Sequence, residues 1–297
     1  MKPLFKSDAL QKQFELDGFV QLKLISIDDV NLLLQEYQKV ADVHERINIP
    51  YITTSHSNNA ELINRVDIVL QKVLTPALDK VLDNYKLLFG NYLVKMPGSG
   101  SETEPHQDIT FVDETQYASV NVWVALQDTT PENGCMYFLR GSHRLMPTIR
   151  PTHDYNWAYE KVKQQIKIRS DVFSAKAGEA FIFNHAVIHG SFENKTNEPR
   201  IAAVVAAYND HAPLIHYYLP DKLSNRLQKY SMDKEAYLHF VKEAPPAKGI
   251  YLGDEFFDFK QLSEDDFEKL SGDKNLKPKL FHRISNWFSN KEFVSND

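Results

Sequence analysis

The fold is decided by residues 180–208, which read AFIFNHAVIHGSFENKTNEPRIAAVVAAY. Two runs of β-branched, small and aromatic residues flank the polar segment ENKTNEP at 193–199, and this pattern predicts two strands joined in a hairpin. Alternation places the odd positions from 181 to 189 on one face, so that His185 and His189 share it with apolar residues. Two histidines on an inward-looking face are the first indication of a site inside a β structure.

Similar short runs extend toward the N-terminus. VNVWVAL at 120–126 and CMYFL at 135–139 are separated from their neighbours by breaks rich in Gly, Pro and Asn, such as PGSGSETEP at 97–105. Many short strands with such turns are typical of a β-sandwich or jelly roll, the architecture of cupin-like barrels. We therefore predict a mainly β protein with flanking helices, whose jelly-roll core spans residues 90–210.

The two ends of the chain have a different pattern. Within residues 1–89 apolar residues recur at helical spacing, with Ser26 or Asp28 as a plausible cap, so this part is predicted to be a helical support. Residues 211–297 are mixed and polar and are predicted to form a helical or irregular extension. Since there is no internal repeat, one domain over 1–297 is simpler than two.

Composition narrows the classes of function. A chain of 297 residues with 42% hydrophobic content can bury a substantial core, and a net charge of -6 argues against a nucleic-acid partner. No stretch has 18 uninterrupted apolar residues, so we expect a soluble, cytoplasmic protein without a membrane partner. The single cysteine, Cys135, makes thiolate-rich metal sites implausible, so any metal must use His and carboxylate ligands.

A candidate for such a site is PHQDITF at 105–111. On a strand, residues i and i+2 point to the same face, so His106 and Asp108 can direct their side chains at one point. An imidazole and a carboxylate suit a divalent first-row metal, and either His185 or His189 can supply a third ligand. Taken alone, His-x-Asp is common and also fits two ordinary polar residues on an exposed strand.

Arg200 favours His189 as the third ligand. If the hairpin turns near residues 194–196, position 200 lies roughly opposite position 189, with Cβ atoms about 5 Å apart. A guanidinium there can grip a carboxylate through two hydrogen bonds. Two histidines and one carboxylate leave metal positions open for a chelating 2-oxo acid and O2, as in non-heme Fe(II) oxygenases, and 2-oxoglutarate has a second carboxylate for the arginine.

These residues lie within an ordered set of motifs. HQD, VNVWVALQD, ENGCMYFLRGSHR, KAGEAFIFNHAVIHGS and NKTNEPR follow one another over residues 91–208 and resemble the phytanoyl-CoA dioxygenase family of Fe(II)- and 2-oxoglutarate-dependent oxygenases. The resemblance implies a double-stranded β-helix, Fe(II) held by His106, Asp108 and His189, and Arg200 on the distal carboxylate of 2-oxoglutarate. It also implies O2 as a cosubstrate and hydroxylation of an unactivated C–H, with succinate and CO2 as co-products. Three further positions contact the cosubstrate in relatives: Gln107, Trp123 and Ser191.

One region concerns the substrate. Residues 140–169 contain seven lysines and arginines against two acidic residues, in a chain that is acidic overall. We hypothesise that this connection attracts an anionic group of the substrate, with Arg144 and Arg150 as contacts and His185 lining the cavity. A solvated helical face explains the charges equally well. The expected substrate is a small anionic or polar metabolite, free or bound to CoA or a carrier, and the oligomeric state stays open.

Two other classes of function remain. A non-oxidative cupin-type isomerase or hydrolase can use the same ligands with zinc or manganese, but its chemistry needs no dicarboxylate anchor such as Arg200. A catalytically silent metal- or ligand-binding protein can keep the fold, but it has no need of all three ligands. Both alternatives are separated from the oxygenase by iron-dependent succinate formation.

Overall fold

Two facing β-sheets form the centre of the protein. A computed structural model describes residues 3–45, 49–144, 149–152, 155–221, 225–238, 240, 244–258 and 261–271. Helices cover the outer face of the larger sheet, and a third, smaller sheet lies toward the C-terminus. The prediction of a mainly β fold with flanking helices and a jelly-roll core is confirmed.

The described strands, in chain order, are β1 (Phe19–Lys23), β2 (Tyr51–Thr53), β3 (Tyr85–Lys95), β4 (Thr103–His106), β5 (Ser119–Ala125), β6 (Met136–Phe138), β7 (Asp171–Phe173), β8 (Glu179–Asn184), β9 (His189–Ser191), β10 (Arg200–Asn209), β11 (Leu214–Tyr218), β12 (Arg226–Met232) and β13 (Ile250–Phe256). The larger sheet has the order β1-β8-β5-β10-β3-β2, and the facing sheet has the order β4-β9-β6-β7. All neighbouring strands in both sheets are antiparallel.

Three helices precede the core: α1 (Asp8–Asp17), α2 (Ile27–Glu45) and α3 (Ala60–Leu78). Ser26 caps α2, since its Oγ accepts a hydrogen bond from the Asp29 amide at 3.1 Å while the Asp29 carboxylate accepts one from the Ser26 amide at 3.1 Å. The apolar faces of the helices share one buried cluster with the outer face of the larger sheet. The same N-terminal part also supplies β1 and β2, the two edge strands of that sheet.

The space between the two sheets is divided into an aromatic core and a cavity. Phe19, Phe138 and Phe181 belong to the buried cluster between the sheets, and the rings of Phe19 and Phe138 stack with centroids 4.4 Å apart. Aromatic rings bury a large apolar area with little side-chain freedom, so this part of the interior is a firm support. The cavity described below opens beside it.

An irregularity in β3 shapes one wall of the cavity. The register with β10 shifts between Leu87 and Gly90, and Asp67 of α3 accepts a hydrogen bond from the Gly90 amide at 2.8 Å. A Cβ at position 90 would lie 3.1 Å from the Cβ of Leu70, so α3 approaches the strand closely there. After this point the inward-facing positions of β3 run through Asn91 and on to Lys95.

The predicted hairpin over 180–208 is wrong. β8 ends at Asn184, a turn at 185–188 carries the chain across to the facing sheet, and β9 pairs there with β4 and β6. β10 returns to the larger sheet between β3 and β5, so Arg200 and His189 are not partners in one hairpin. Alternation could not reveal the crossing, because strands of both sheets bury their inner faces in the same interior.

The C-terminal part also differs from the prediction of a helical or irregular extension. Within its described residues, β11, β12 and β13 form an antiparallel sheet, accompanied by the short helices α5 (Lys234–Leu238) and α6 (Glu264–Ser271). An earlier helix, α4 (Lys163–Arg169), lies in the connection before β7. A sheet with one solvated face carries polar residues along its strands, which explains why this stretch reads as irregular. Within the described ranges, none of the helices has the length and apolarity needed to cross a membrane.

Candidate metal centre

Three side chains meet at the end of the smaller sheet. His106 is the last residue of β4 and pairs directly with His189, the first residue of β9, with ring centroids 4.3 Å apart. Asp108 follows beyond the end of β4, and its carboxylate oxygens lie 3.9 Å from the Nε2 atom of each histidine. One ligand atom from each residue lies within 4.8 Å of the other two, a spacing that can hold a metal ion. The pairing of β4 with β9 brings His106 and His189 together. The i, i+2 spacing relates only His106 and Asp108.

Both histidines are oriented through their other ring nitrogen. Nδ1 of His106 lies 2.9 Å from the Glu104 carbonyl oxygen, and Nδ1 of His189 lies 3.0 Å from the Val187 carbonyl oxygen. Each Nδ1–H therefore donates to backbone, and the lone pair of each Nε2 is left for a metal. Burial lowers the pKa of His189 to about 4, so its ring is neutral at pH 7.

Asp108 is held by two polar neighbours. Asn121 of β5 donates from Nδ2 to the Asp108 carboxylate at 2.9 Å, and Arg150 donates from Nε to the Asp108 backbone carbonyl at 2.5 Å. Burial raises the pKa of the carboxyl group, but the surrounding imidazoles and the guanidinium outweigh burial and lower it below its ordinary value. The side chain is thus an ionised ligand at neutral pH.

Of the two arginines suggested as substrate contacts, Arg150 lines the cavity and Arg144 does not. The Arg150 side chain is buried, and its Nη1 and Nη2 atoms donate to the two carboxylate oxygens of Glu114 at 2.8 and 2.5 Å. Both Nη atoms of Arg150 are therefore engaged by Glu114, and its Nε supports the backbone of Asp108. Arg144 lies exposed in a short 3₁₀ helix and is not among the residues that line the cavity.

Four further basic residues of the connection, Arg140, Lys163, Lys167 and Arg169, also form ion pairs with acidic residues. Lys163 lies 2.6 Å from Glu104, and Lys167 and Glu102 form a further ion pair. The remaining pairs are Arg140 with Asp17 and Asp171, and Arg169 with Glu268. The local basic excess in the sequence is therefore largely neutralised in the fold, and the hypothesis that it attracts an anionic substrate gains no support.

Arg200 lies at the other side of the cavity, on β10. Its side chain is 2% exposed, its guanidinium carbon is 5.4 Å from the ring centroid of Trp123, and its Nη2 donates to the Gly134 carbonyl at 3.1 Å. The buried Nε and Nη1 have no hydrogen-bond partner among the residues that the structure describes, and burial lowers the pKa of Arg200 to about 10, so the group is charged at pH 7. Buried N–H groups without a partner are costly, and a carboxylate would satisfy them.

A second buried basic side chain, that of Lys95, was missed by the sequence reasoning. It is opposite Arg200 in the β3–β10 register, is 0% exposed, and donates from Nζ to the carbonyls of Ser101 and, at 3.4 Å, Ser191. Burial and, to a lesser degree, the neighbouring arginine lower its pKa to about 6. The signal was present: in GNYLVKMP the lysine continues the inward alternation of an apolar strand.

Of the three cosubstrate positions, Trp123 and Ser191 line the cavity with Arg200. Gln107 also reaches the cavity wall, but its Nε2 donates to the Ala186 carbonyl at 2.6 Å and its Oε1 accepts from the Tyr159 hydroxyl. One end of the amide therefore fastens the ligand segment to the turn before β9, and the other end fastens it to Tyr159 in the connection before β7.

His185 is buried and is not among the cavity-lining residues. Its Nδ1 lies 2.6 Å from the Ser119 hydroxyl, its ring is 4.7 Å from that of Phe111, and its backbone carbonyl accepts from the Asp108 amide at 2.9 Å. The residue that shared a predicted strand face with His189 instead helps to position the carboxylate ligand.

The ligand triad and Arg200 line a single cavity of about 1070 Å³. Together, the facing sheets and the two-histidine, one-carboxylate cluster define a jelly-roll protein with a candidate metal centre. The family model of phytanoyl-CoA dioxygenase (PhyH) matches residues 14–202, and the chain belongs to this family. The predicted membership of the phytanoyl-CoA dioxygenase family is thereby confirmed.

Curated relatives match over shorter stretches. The chain is 33% identical over 129 residues to phytanoyl-CoA dioxygenase domain-containing protein 1 of Danio rerio, covering 40% of this chain and 43% of that protein. It is 33% identical over 106 residues to phytanoyl-CoA dioxygenase 1 of Oryza sativa subsp. japonica, covering 35% and 37%. The chain thus spans less than half the length of these relatives.

The fold has counterparts among solved structures. The non-heme alpha-ketoglutarate-dependent carbocyclase SnoK from nogalamycin biosynthesis is 19% identical, with a TM-score of 0.51 over 70% of this chain and 86% of that one. At this identity the likeness concerns the architecture only.

Proposed function

We propose that the protein is an Fe(II)- and 2-oxoglutarate-dependent dioxygenase that hydroxylates an unactivated C–H of a small molecule. The observation that carries this proposal is one cavity in which three ligand atoms converge within 4.8 Å and a buried arginine offers two N–H groups without a partner. In the overall reaction one oxygen atom of O2 enters the alcohol and the other enters succinate, while the 1-carboxylate of 2-oxoglutarate leaves as CO2.

The metal is assigned to His106, Asp108 and His189. Their Nε2 atoms and the carboxylate form the ligand set preferred by Fe(II) in oxygenases, which would leave positions open on the metal. Fe(II) bound there with 2-oxoglutarate and O2 would supply the oxidative chemistry. The surrounding protein orients the ligands, since Asn121 and Arg150 hold the aspartate from two directions.

The distal carboxylate of 2-oxoglutarate is assigned to Arg200. Its Nε and Nη1 are donors without a partner among the described residues, and each lies beside an N–H of Nη2, so one edge of the guanidinium can grip a carboxylate in bidentate fashion. The guanidinium carbon lies over the ring of Trp123. Lys95 adds a second buried amine beside this position. The cosubstrate would then extend from the arginine on the larger sheet to the metal ligands of the smaller sheet.

The proposal is tested by anaerobic titration of the iron-loaded protein with 2-oxoglutarate. We expect a weak visible charge-transfer band and, after oxygen is admitted, succinate. His106→Ala should remove both signals, whereas His211→Ala, at an exposed histidine outside the cavity lining, should keep them. An iron-loaded protein that gives neither the band nor succinate would contradict the proposal.

The same titration separates the alternatives. A non-oxidative metalloenzyme would bind the metal through the three ligands but would neither require nor consume 2-oxoglutarate. A silent binding protein that binds the metal and 2-oxoglutarate would show the band but would release no succinate. The unpartnered donors of Arg200 favour the oxygenase over both, because only that reaction uses a dicarboxylate cosubstrate.

A further inference from the structure

The outer part of the cavity has an aromatic wall. Phe89 of β3, Phe111 and Tyr237 of α5 all line it, and their ring centroids are 5.1 to 6.5 Å apart. The Tyr237 hydroxyl donates to the Ile215 carbonyl at 2.5 Å, so the residue presents its ring and not its hydroxyl to the cavity. This wall suits an apolar ring or chain.

A second set of lining residues is polar and uncharged. The Thr53 hydroxyl donates to the Asn91 amide oxygen at 2.9 Å and lies 3.0 Å from the hydroxyl of Ser55. Because the Asn91 amide oxygen accepts this bond, the N–H groups of the same amide remain as donors on a cavity-lining residue. Amide and hydroxyl groups of this kind recognise alcohols, amides and ethers.

The charged side chains that line this cavity differ from those expected in a cavity that binds an anionic substrate. Within the described lining, the lysine and arginine side chains are Arg150, paired with Glu114, and Arg200, assigned to the cosubstrate. Two lining residues, Glu102 and Glu104, are instead acidic, and their own partners are lysines outside the lining. An anionic substrate would lose water there without gaining a counter-ion.

We infer that the substrate of the proposed oxygenase is an uncharged amphipathic molecule, whose apolar part packs on Phe89, Phe111 and Tyr237 and whose hydroxyl or amide group bonds to Thr53, Ser55 and Asn91. Free carboxylates and CoA thioesters are disfavoured. The inference rests on the proposed function, since it takes the Arg200 site to be filled by 2-oxoglutarate. It replaces the anionic substrate expected from the basic connection.

A set of four probes with one skeleton tests it: phenylbutanol, phenylbutyramide, phenylbutyrate and phenylbutyryl-CoA. Their binding to the protein saturated with Fe(II) and 2-oxoglutarate is measured without oxygen by calorimetry and by the change in the visible band. We expect the alcohol and amide to bind about tenfold or more tightly than the carboxylate and thioester, which corresponds to about 1.4 kcal/mol. If the carboxylate or thioester binds as tightly, or if none of the four binds, the inference is wrong.

Matched variants test whether the aromatic and the polar lining residues each contact the probes. Thr53→Val removes one hydroxyl and should weaken the alcohol and amide about three- to tenfold, because one hydrogen bond is lost. Phe111→Leu should weaken all four probes alike, and Thr115→Val, at an exposed threonine outside the lining, should change nothing. Loss of the band itself would instead contradict the proposed function, so the two failures are distinguishable.

Discussion

At the scale of single residues, the centre depends on groups that touch no metal. Asn121 donates to the carboxylate of Asp108, and Arg150 donates to its backbone while Glu114 holds the guanidinium. Alternation in VNVWVAL places Asn121 and Trp123 on one strand face, so the sequence contained a signal for both. The sequence contained no signal for the pairing of Arg150 with Glu114, because the two residues lie 36 positions apart and only the fold brings them together.

Asn121→Leu should weaken metal binding while the fold is kept. Loss of a residue that orients a metal ligand typically lowers the metal affinity about 10- to 100-fold, and this change removes the hydrogen bond to Asp108. Titration with Co²⁺ followed by absorbance gives the dissociation constant. Asn225→Leu, at an exposed asparagine, is the matched control, and equal affinities of the two variants would show that Asn121 does not position the ligand.

Arg200→Ala should act on the cosubstrate and not on the metal. Removing one partner of a buried charged pair costs about 2 kcal/mol or more, so the dissociation constant of 2-oxoglutarate should rise on the order of 30-fold. Calorimetry on the metal-loaded protein measures it. Arg200→Lys should restore little, since an amine lacks the planar fork. If Arg200→Ala binds 2-oxoglutarate as tightly as the wild type does, Arg200 does not bind the cosubstrate.

Lys95 predicts a pH dependence of stability. Burial holds its folded-state pKa near 6, below the ordinary 10.5, so between these values the unfolded chain binds more protons and the free energy of unfolding rises with pH. Lys95→Met removes this contribution. Urea unfolding at pH 7 and pH 9 should therefore show a stability gain over this interval that is larger in the wild type than in the variant. Equal gains would mean that the amine is protonated in the folded protein.

At the scale of elements, the short strand β9 connects packing with chemistry. The ligand pair is formed by its pairing with β4, and Gly190 makes a close approach possible, because an added Cβ would lie 2.2 Å from the Tyr137 hydroxyl oxygen and 2.6 Å from the Thr103 carbonyl oxygen. The sequence predicted the residues of this site but not its strands. Periodicity reports which face is buried, whereas the sheet to which a strand belongs depends on long-range pairing.

Gly190→Ala should shift β9 and, with it, His189. We expect a loss of about 1–3 kcal/mol in the free energy of unfolding from overpacking, together with weaker Co²⁺ binding. Gly98→Ala is the control, since its φ of 100° strains a side chain but an added Cβ meets nothing within 4 Å. The control should lose stability without losing metal affinity. If Gly190→Ala binds Co²⁺ as the wild type does, the position of β9 does not govern the site.

At the scale of the whole molecule, the N-terminal helices and the β core were predictable, since both have strong local patterns. The C-terminal sheet was not, because its strands pair with each other across long connections and leave polar residues on a solvated face. The substrate chemistry was predicted from the local charge of the connection, and the folded chain pairs those charges with distant acids. The charges in the sequence therefore identified a basic segment, but they did not predict that the fold pairs many of these charges with distant acidic residues.

The crossing at residues 185–188 has a consequence for cosubstrate length. It places the candidate ligands His106 and His189 on one sheet and Arg200 on the other, so the gap between the two packed layers limits the length of a molecule that contacts both. Facing sheets pack about 10 Å apart, and a firm aromatic core keeps that gap constant. In competition binding, 2-oxoglutarate should exceed oxaloacetate and 2-oxoadipate, which differ by one methylene, by about tenfold or more. The distance that selects the cosubstrate is then a property of the barrel, which no single residue contains.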